Sequence, residues 1–132
     1  MIFSEGDLLN EVRLLISSLK MNSHICLIGK IAHELIHQYY SAADYFILGS
    51  HHEGAGYALI EAIACGVTPI ITDIPSFQSI TRNASIGIQW KKGNPEDLAR
   101  SIRSITARPT NRDLIRAHFD RYLQFSVLGE QA

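Results

Sequence analysis

Between Tyr45 and Thr72 the chain spells a strand, a glycine-rich loop, a helix and a second strand in unbroken succession. Tyr45-Phe46-Ile47-Leu48 is a short apolar run of strand length. Ser50-His51-His52-Glu53-Gly54-Ala55-Gly56 reads as a loop, polar at first and then rich in glycine. Tyr57 to Cys65 carries no helix breaker, and Gly66 stands where a helix would stop. Thr68 to Thr72 is rich in β-branched side chains, which suit a strand. Strands alternating with helices at this spacing point to a parallel sheet with helices packed on it.

The alternation extends in both directions. Upstream, Leu8, Val12, Leu15, Ile16 and Leu19 recur at helical spacing. Ile25 to Ile28, closed by Gly29, suits a buried strand, and His33 to about Tyr40 a short helix. Downstream, Pro75 to Thr81 reads as a short helix and Ile86 to Trp90 as a strand. Asn94-Pro95-Glu96-Asp97 opens another helix, because Asn can cap, Pro fits the first helical position and the acids meet the positive end of the dipole. A last helix is expected from about Asn111 to Gln124. The expected fold is therefore α/β, a Rossmann-like parallel sheet with helices on both faces. Residues 1–125 are expected to form one domain and 126–132 a frayed tail.

Composition narrows the function. Twelve Lys and Arg against thirteen Asp and Glu leave a net charge of −1, which gives no electrostatic case for nucleic acid. Cys26 and Cys65 lie among apolar neighbours, so two buried free thiols are expected rather than a disulfide framework, which suits a reducing cytoplasm. The N-terminus lacks the basic and apolar regions of a signal peptide, and no apolar run reaches membrane-span length.

Ligands of parallel α/β sheets bind at the carboxyl ends of the strands. The loops to examine are Gly29-Lys30-Ile31, Gly49 to Ala55, and Asp73 to Ser76. The middle one places a carboxylate, Glu53, before a glycine turn and a helix N-terminus, and Glu61 falls about one turn into that helix. Amides and the helix dipole can face a phosphate while carboxylates accept from hydroxyls, so the group can hold a phosphorylated sugar. Each acid also has a plainer reading. Glu53 can be a solvated loop acid near a helix start, and Glu61 can pair with a Lys or Arg elsewhere.

The wider pattern adds to this. Ala42-Ala43-Asp44, a strand, Ser50-x-x-Glu53-Gly54-x-Gly56, Glu61-Ala62-x-Ala64-x-Gly66 and a β-branched strand occur in that order. Gly87 and Asn94-Pro95-Glu96-Asp97-Leu98-Ala99 follow. The series resembles the donor-binding half of the family-four glycosyltransferases, also called group one, which have the GT-B fold. The resemblance runs from about Met1 to Thr106. It implies a retaining enzyme that moves a sugar from a nucleotide-diphosphate donor, without a metal or other cofactor. Glu53 takes the position of the acid at the donor sugar. Gly54, Ala55 and Gly56 take that of the turn approaching sugar and diphosphate. Tyr57 and Ala58 would offer amides to the phosphate, Glu61 would accept from the ribose hydroxyls, and Ile31 would pack near the base. The family usually has a bulkier residue where Ala55 stands and often a Glu near Gln78. Its diphosphate-neutralising basic residues and its N-terminal acceptor domain lie upstream of the part this chain resembles. The expectation is a fragment whose partners are a nucleotide sugar and that missing domain, with any membrane association of the whole enzyme left open.

Two other readings compete. One is a Rossmann-like module that binds without turnover. The other rests on His33-Glu34-Leu35-Ile36-His37, which spells the zinc-protease motif H-E-x-x-H on a helix. The further Gly and His of one large class of such proteases do not follow, and Glu61 already belongs to the donor pattern.

Overall fold

The computed structural model describes residues 1–2 and 6–124, so the expected tail at 126–132 lies outside the described residues. The chain divides into two compact units, Met1–Ile36 and His37–Ala132.

In the first unit, α1 spans Leu9–Ser18. Ile16 is its one buried residue, and Leu8, Leu14, Leu15 and Leu19 around it are exposed. The buried strand expected at Ile25–Ile28 is not formed. Ile2 and Leu27 make a single parallel bridge, in which Ile2 N donates to Cys26 O at 2.8 Å and Ile28 N to Ile2 O at 2.9 Å. Ile25 and Leu27 are half-buried while Cys26 and Ile28 are exposed, the alternation of a segment covered on one side. A parallel strand is buried only when helices cover both faces, and one bridge provides no such ladder. The expectation of a buried Cys26 fails for the same reason; Cys26 is exposed and Cys65 half-buried, both as free thiols. Helix α2, His33–Ala42, begins in this unit and ends in the second.

The second unit holds an open sheet of three parallel strands flanked by helices. Strands β1 (Tyr45–Leu48), β2 (Thr68–Thr72) and β3 (Ile88–Trp90) lie in that order, with Tyr45 opposite Thr68 and Ile70 opposite Ile88. Helix α3 (Tyr57–Ala64) joins β1 to β2, and α4 (Pro75–Thr81) joins β2 to β3. Every residue of β2 is buried, as befits a central parallel strand. Its neighbours Leu59 and Ile63 of α3, Phe77 of α4, and Ile115 further along the chain pack with Ile71 into one core.

β3 starts two residues later than the expected Ile86, and Pro69 is the reason. Thr68 N donates to Asp44 O on the β1 side, so the next position on β2 faces β3, where Pro69 has no N–H to give. Gly87 lies against that proline at φ +71°, and a Cβ there would collide with the Pro69 carbonyl. Pairing begins only beyond this point. Helix α5 (Pro95–Thr106) starts as expected, with Asn94 Oδ1 accepting from Asp97 N at 2.9 Å. Helix α6 (Arg112–Tyr122) is capped in the same way, Asn111 Oδ1 accepting from Leu114 N at 3.0 Å.

Candidate functional site

The loop after β1 sits at the carboxyl edge of the sheet, and three anchors shape it. Thr72, fully buried at the end of β2, donates its hydroxyl to Ser50 O at 2.6 Å. The Trp90 ring, at the end of β3, lies so close to Gly49 that a Cβ there would be 3.3 Å from Cζ2. At the far end Gly56 is buried in the left-handed region, φ 65° and ψ 33°. A side chain at Gly56 would be strained by that φ and would press on Ile80 Cδ1 at 2.6 Å. Gly56 is thus required by both backbone and packing, and it delivers the chain into α3.

Glu53 is exposed between these anchors, and its Oε2 accepts from Ser50 Oγ at 3.3 Å. Gly54 and Ala55 are exposed beside it, and nothing lies within 4 Å of a Cβ built on Gly54. That leaves backbone room for a ligand.

No side chain caps the N-terminus of α3. The first bond of the helix is Ile60 N to Gly56 O at 3.0 Å, so the amides of Tyr57, Ala58 and Leu59 have no partner within the helix. The opposite end is treated differently. Arg116 Nη1 donates to Ala64 O at 2.7 Å and Arg112 Nη1 to Cys65 O at 3.3 Å. Two cations from α6 therefore meet the negative end of the α3 dipole, while its positive end opens toward the Glu53 loop. That arrangement suits an anion at Tyr57 and Ala58.

Glu61 is half-buried on α3, one turn beyond the exposed Tyr57 and on the side away from Leu59, Ala62 and Ile63. Tyr40, from α2, stands near it. Burial first, then the Glu61 carboxylate and Cys65, push the Tyr40 phenol up to about 12. Tyr40 also packs edge-on against Phe46 of β1, with centroids 5.7 Å apart. Glu61 is therefore backed by an aromatic neighbour that stays protonated.

The loop, the Gly56 turn, Tyr57, Ala58 and Glu61 all belong to the second unit. Ile31, half-buried, belongs to the first. Among the other loop residues, Asp73 is exposed and its Oδ1 accepts from Gln78 Nε2 at 2.6 Å, while its own N donates to Trp90 O at 2.8 Å. His51 and His52 are exposed. Sequence reasoning did not single out Thr72, Tyr40, Arg112 or Arg116. Thr72 gave a faint signal, as a hydroxyl at the end of an otherwise apolar strand. The arginines gave none, because their partners are carbonyls far away in the chain.

His33 and His37 lie one turn apart on α2, but among the described residues no third His, Cys, Asp or Glu joins them. A hollow of about 230 Å³ does open elsewhere, lined by Tyr45, Thr68, Gly87 and Arg108 among others. It touches the first residues of β1 and β2, so it lies at the amino edge, across the sheet from Glu53.

Residues 2–120 match the family described as glycosyl transferases group 1. The chain belongs to that family. It is 32% identical over 89 residues to a D-inositol 3-phosphate glycosyltransferase of Geodermatophilus obscurus, covering 67% of this chain and 19% of that protein. It is 29% identical over 92 residues to a GDP-mannose:cellobiosyl-diphosphopolyprenol alpha-mannosyltransferase of Xanthomonas oryzae pv. oryzae, covering 66% and 24%. Among solved structures, the sucrose-phosphate synthase of Thermosynechococcus elongatus superposes with a TM-score of 0.82 at 25% identity, over 97% of this chain and 33% of that one. The chain thus spans about a fifth to a third of the length of these relatives. Its fold is the GT-B type found in nucleotide-sugar transferases. No helix among the described residues is long and apolar enough to cross a membrane.

Proposed function

We propose that this chain is the donor-binding part of a retaining glycosyltransferase that moves a sugar from a nucleotide diphosphate to an acceptor held by another domain. The observation that carries the reading is the uncapped N-terminus of α3, with Glu53 in the loop before it and Glu61 one turn along it. The diphosphate sits at the amides of Tyr57 and Ala58, where the dipole meets its charge. Gly54, Ala55 and Gly56 let the backbone approach sugar and diphosphate. Glu53 accepts from the sugar hydroxyls and Glu61 from the ribose hydroxyls. As the glycosidic bond breaks, charge grows on the leaving diphosphate, and these preorganised amides, with basic side chains from elsewhere in the enzyme, stabilise it. The donor brings its own leaving group, so no cofactor is invoked. The names of the relatives favour sugar donors of the GDP-mannose kind without fixing base or sugar. Two free thiols fit a cytoplasmic setting.

The test is a titration of the full-length enzyme and its variants with nucleoside diphosphate and with the sugar donor. A hydrogen bond to a charged group is worth roughly 1.5–3 kcal/mol, so Glu61→Gln is expected to weaken both ligands by about ten- to a hundredfold. Glu53→Gln is expected to weaken the sugar donor and spare the free nucleoside diphosphate. No loss in the Glu61 variant would sink the site, and equal losses in the Glu53 variant would sink the division of roles. The 132-residue chain alone is expected to transfer no sugar; robust transfer by it would show that the acceptor domain is dispensable.

A further inference from the structure

Trp90 is the only tryptophan in the chain, and its place is unusual. The residue is 8% exposed, and its indole Nε1 is sealed from solvent with no hydrogen-bond partner. Trp90 Nε1 is the one buried side-chain polar atom among the described residues to lack a partner. Such groups are rare because a buried donor left unmade is costly, so each asks for an explanation. The surroundings supply one. Trp90 joins both loops of the carboxyl edge: its carbonyl accepts from Asp73 N at 2.8 Å, and its ring lies against Gly49. Cζ2 and Cη2 of the ring lie nearest the Gly49 position, and Cζ2 is two bonds from Nε1. The next residue, Ser50, is held by Thr72 through its carbonyl and itself donates to Glu53. Trp90, Gly49, Ser50 and Glu53 thus form one mechanical line from the end of β3 to the acid of the site.

We propose that Trp90 is a positioning residue for the donor site, whose indole N–H gains a backbone carbonyl of the Gly49–Ser50 segment only in the arrangement the loop adopts around bound donor. The free loop then leaves one buried donor unmade, and the bound loop satisfies it. Part of the donor's affinity comes from a residue that never touches it. Gly49 is the loop position where this coupling is tightest, because a side chain there would push the ring away.

This inference rests on the donor-site reading, and the test separates the two. The ¹⁵N-labelled chain is titrated with GDP-mannose and with UDP-glucose, following the single indole N–H resonance beside the backbone amides of Tyr57 and Ala58. The expected result is that the indole signal moves on the same saturation curve as those amides. If the amides move and the indole does not, the donor site stands and the role of Trp90 is overturned. If neither moves with either donor, both fall. Two variants complete the test. Trp90→Phe removes the N–H with part of the ring, and replacing the indole by benzothiophene removes the N–H while keeping the shape. One neutral hydrogen bond is worth about three- to tenfold in affinity, so the benzothiophene chain is expected to bind donor that much more weakly while melting no lower than wild type. Unchanged affinity in the benzothiophene chain overturns the proposal, as does a loss in which melting temperature falls in step with affinity. Should Trp90→Phe fail to fold, the benzothiophene chain and the wild-type indole signal still decide it.

Discussion

The two units of this chain are similar in local sequence and different in what they bury. Residues Ile25–Ile28 and Thr68–Thr72 are both short, apolar and glycine-flanked or glycine-preceded. The second is buried at every residue between two partner strands. The first makes one bridge and leaves Cys26 and Ile28 exposed. α1 and α3 differ in the same way. α3 buries Leu59, Ala62 and Ile63, whereas α1 buries Ile16 and exposes four leucines in and around it. An apolar pattern thus declares that a surface is available for burial, and only neighbouring strands and helices decide whether it is used. The candidate site residues, Ile31 apart, lie in the better-packed unit. The Glu53 loop hangs on Thr72, Trp90 and Gly56, all buried parts of the second unit.

The contrast can be broken by mutation, starting with the largest effect. Phe77→Ala opens a cavity under Gly56 in a fully buried place and is expected to cost about 3–5 kcal/mol, measured by denaturant unfolding. A cost under about 1 kcal/mol would mean that the core of the second unit is not the anchor described. Gly56→Ala combines a positive φ with a clash against a flexible Ile80 methyl, for an expected cost of about 1–3 kcal/mol. Donor binding should fall by more than stability does, since the same residue aims the α3 amides.

A pH prediction concerns Tyr40. Its folded form holds the proton up to about 12, above the ordinary 10.0, so the folded state binds more protons than the unfolded one between those values. Stability should therefore be unaffected by this group below pH 10 and fall as pH rises from about 10 to about 12. Tyr40→Phe should remove that part of the decline, and tyrosinate absorbance should show one tyrosine ionising late. An alkaline decline identical in both proteins would mean that Tyr40 is not the group. The smallest effect is expected on α1. Leu14 is 70% exposed, so Leu14→Ser should change the stability of this chain by less than about 0.5 kcal/mol. A loss of several kcal/mol would show that the first unit is far better packed than described.

Much of the second unit could be read from sequence because its signals are local. Gly66 marks the end of α3, Pro75 opens α4, and Asn94 with Pro95 starts α5, each through local backbone geometry or a bond to a near neighbour. Glu53, the glycine turn and Glu61 could be placed on loop and helix for the same reason. What could not be read is nonlocal. Pro69 delays β3 through a residue on the neighbouring strand, and Arg112 and Arg116 reach carbonyls of α3 from the last helix. Tyr40 is raised first by burial and then by Glu61, both of which only the fold supplies. Trp90 reads from the sequence only as the aromatic end of a strand; the burial of its unpartnered N–H belongs to the fold. Tyr122 lies under the Arg82 guanidinium at 4.4 Å, a contact made across the chain fold, and edge-on to His118.

The most direct measurement is a crystal structure of the full-length enzyme with a nucleoside-diphosphate sugar bound. The expected result is a diphosphate within hydrogen-bond distance of the Tyr57 and Ala58 amides, ribose hydroxyls on Glu61 and sugar hydroxyls on Glu53. A nucleotide bound elsewhere, with the N-terminus of α3 and Glu61 untouched by it, would contradict the assignment of this site.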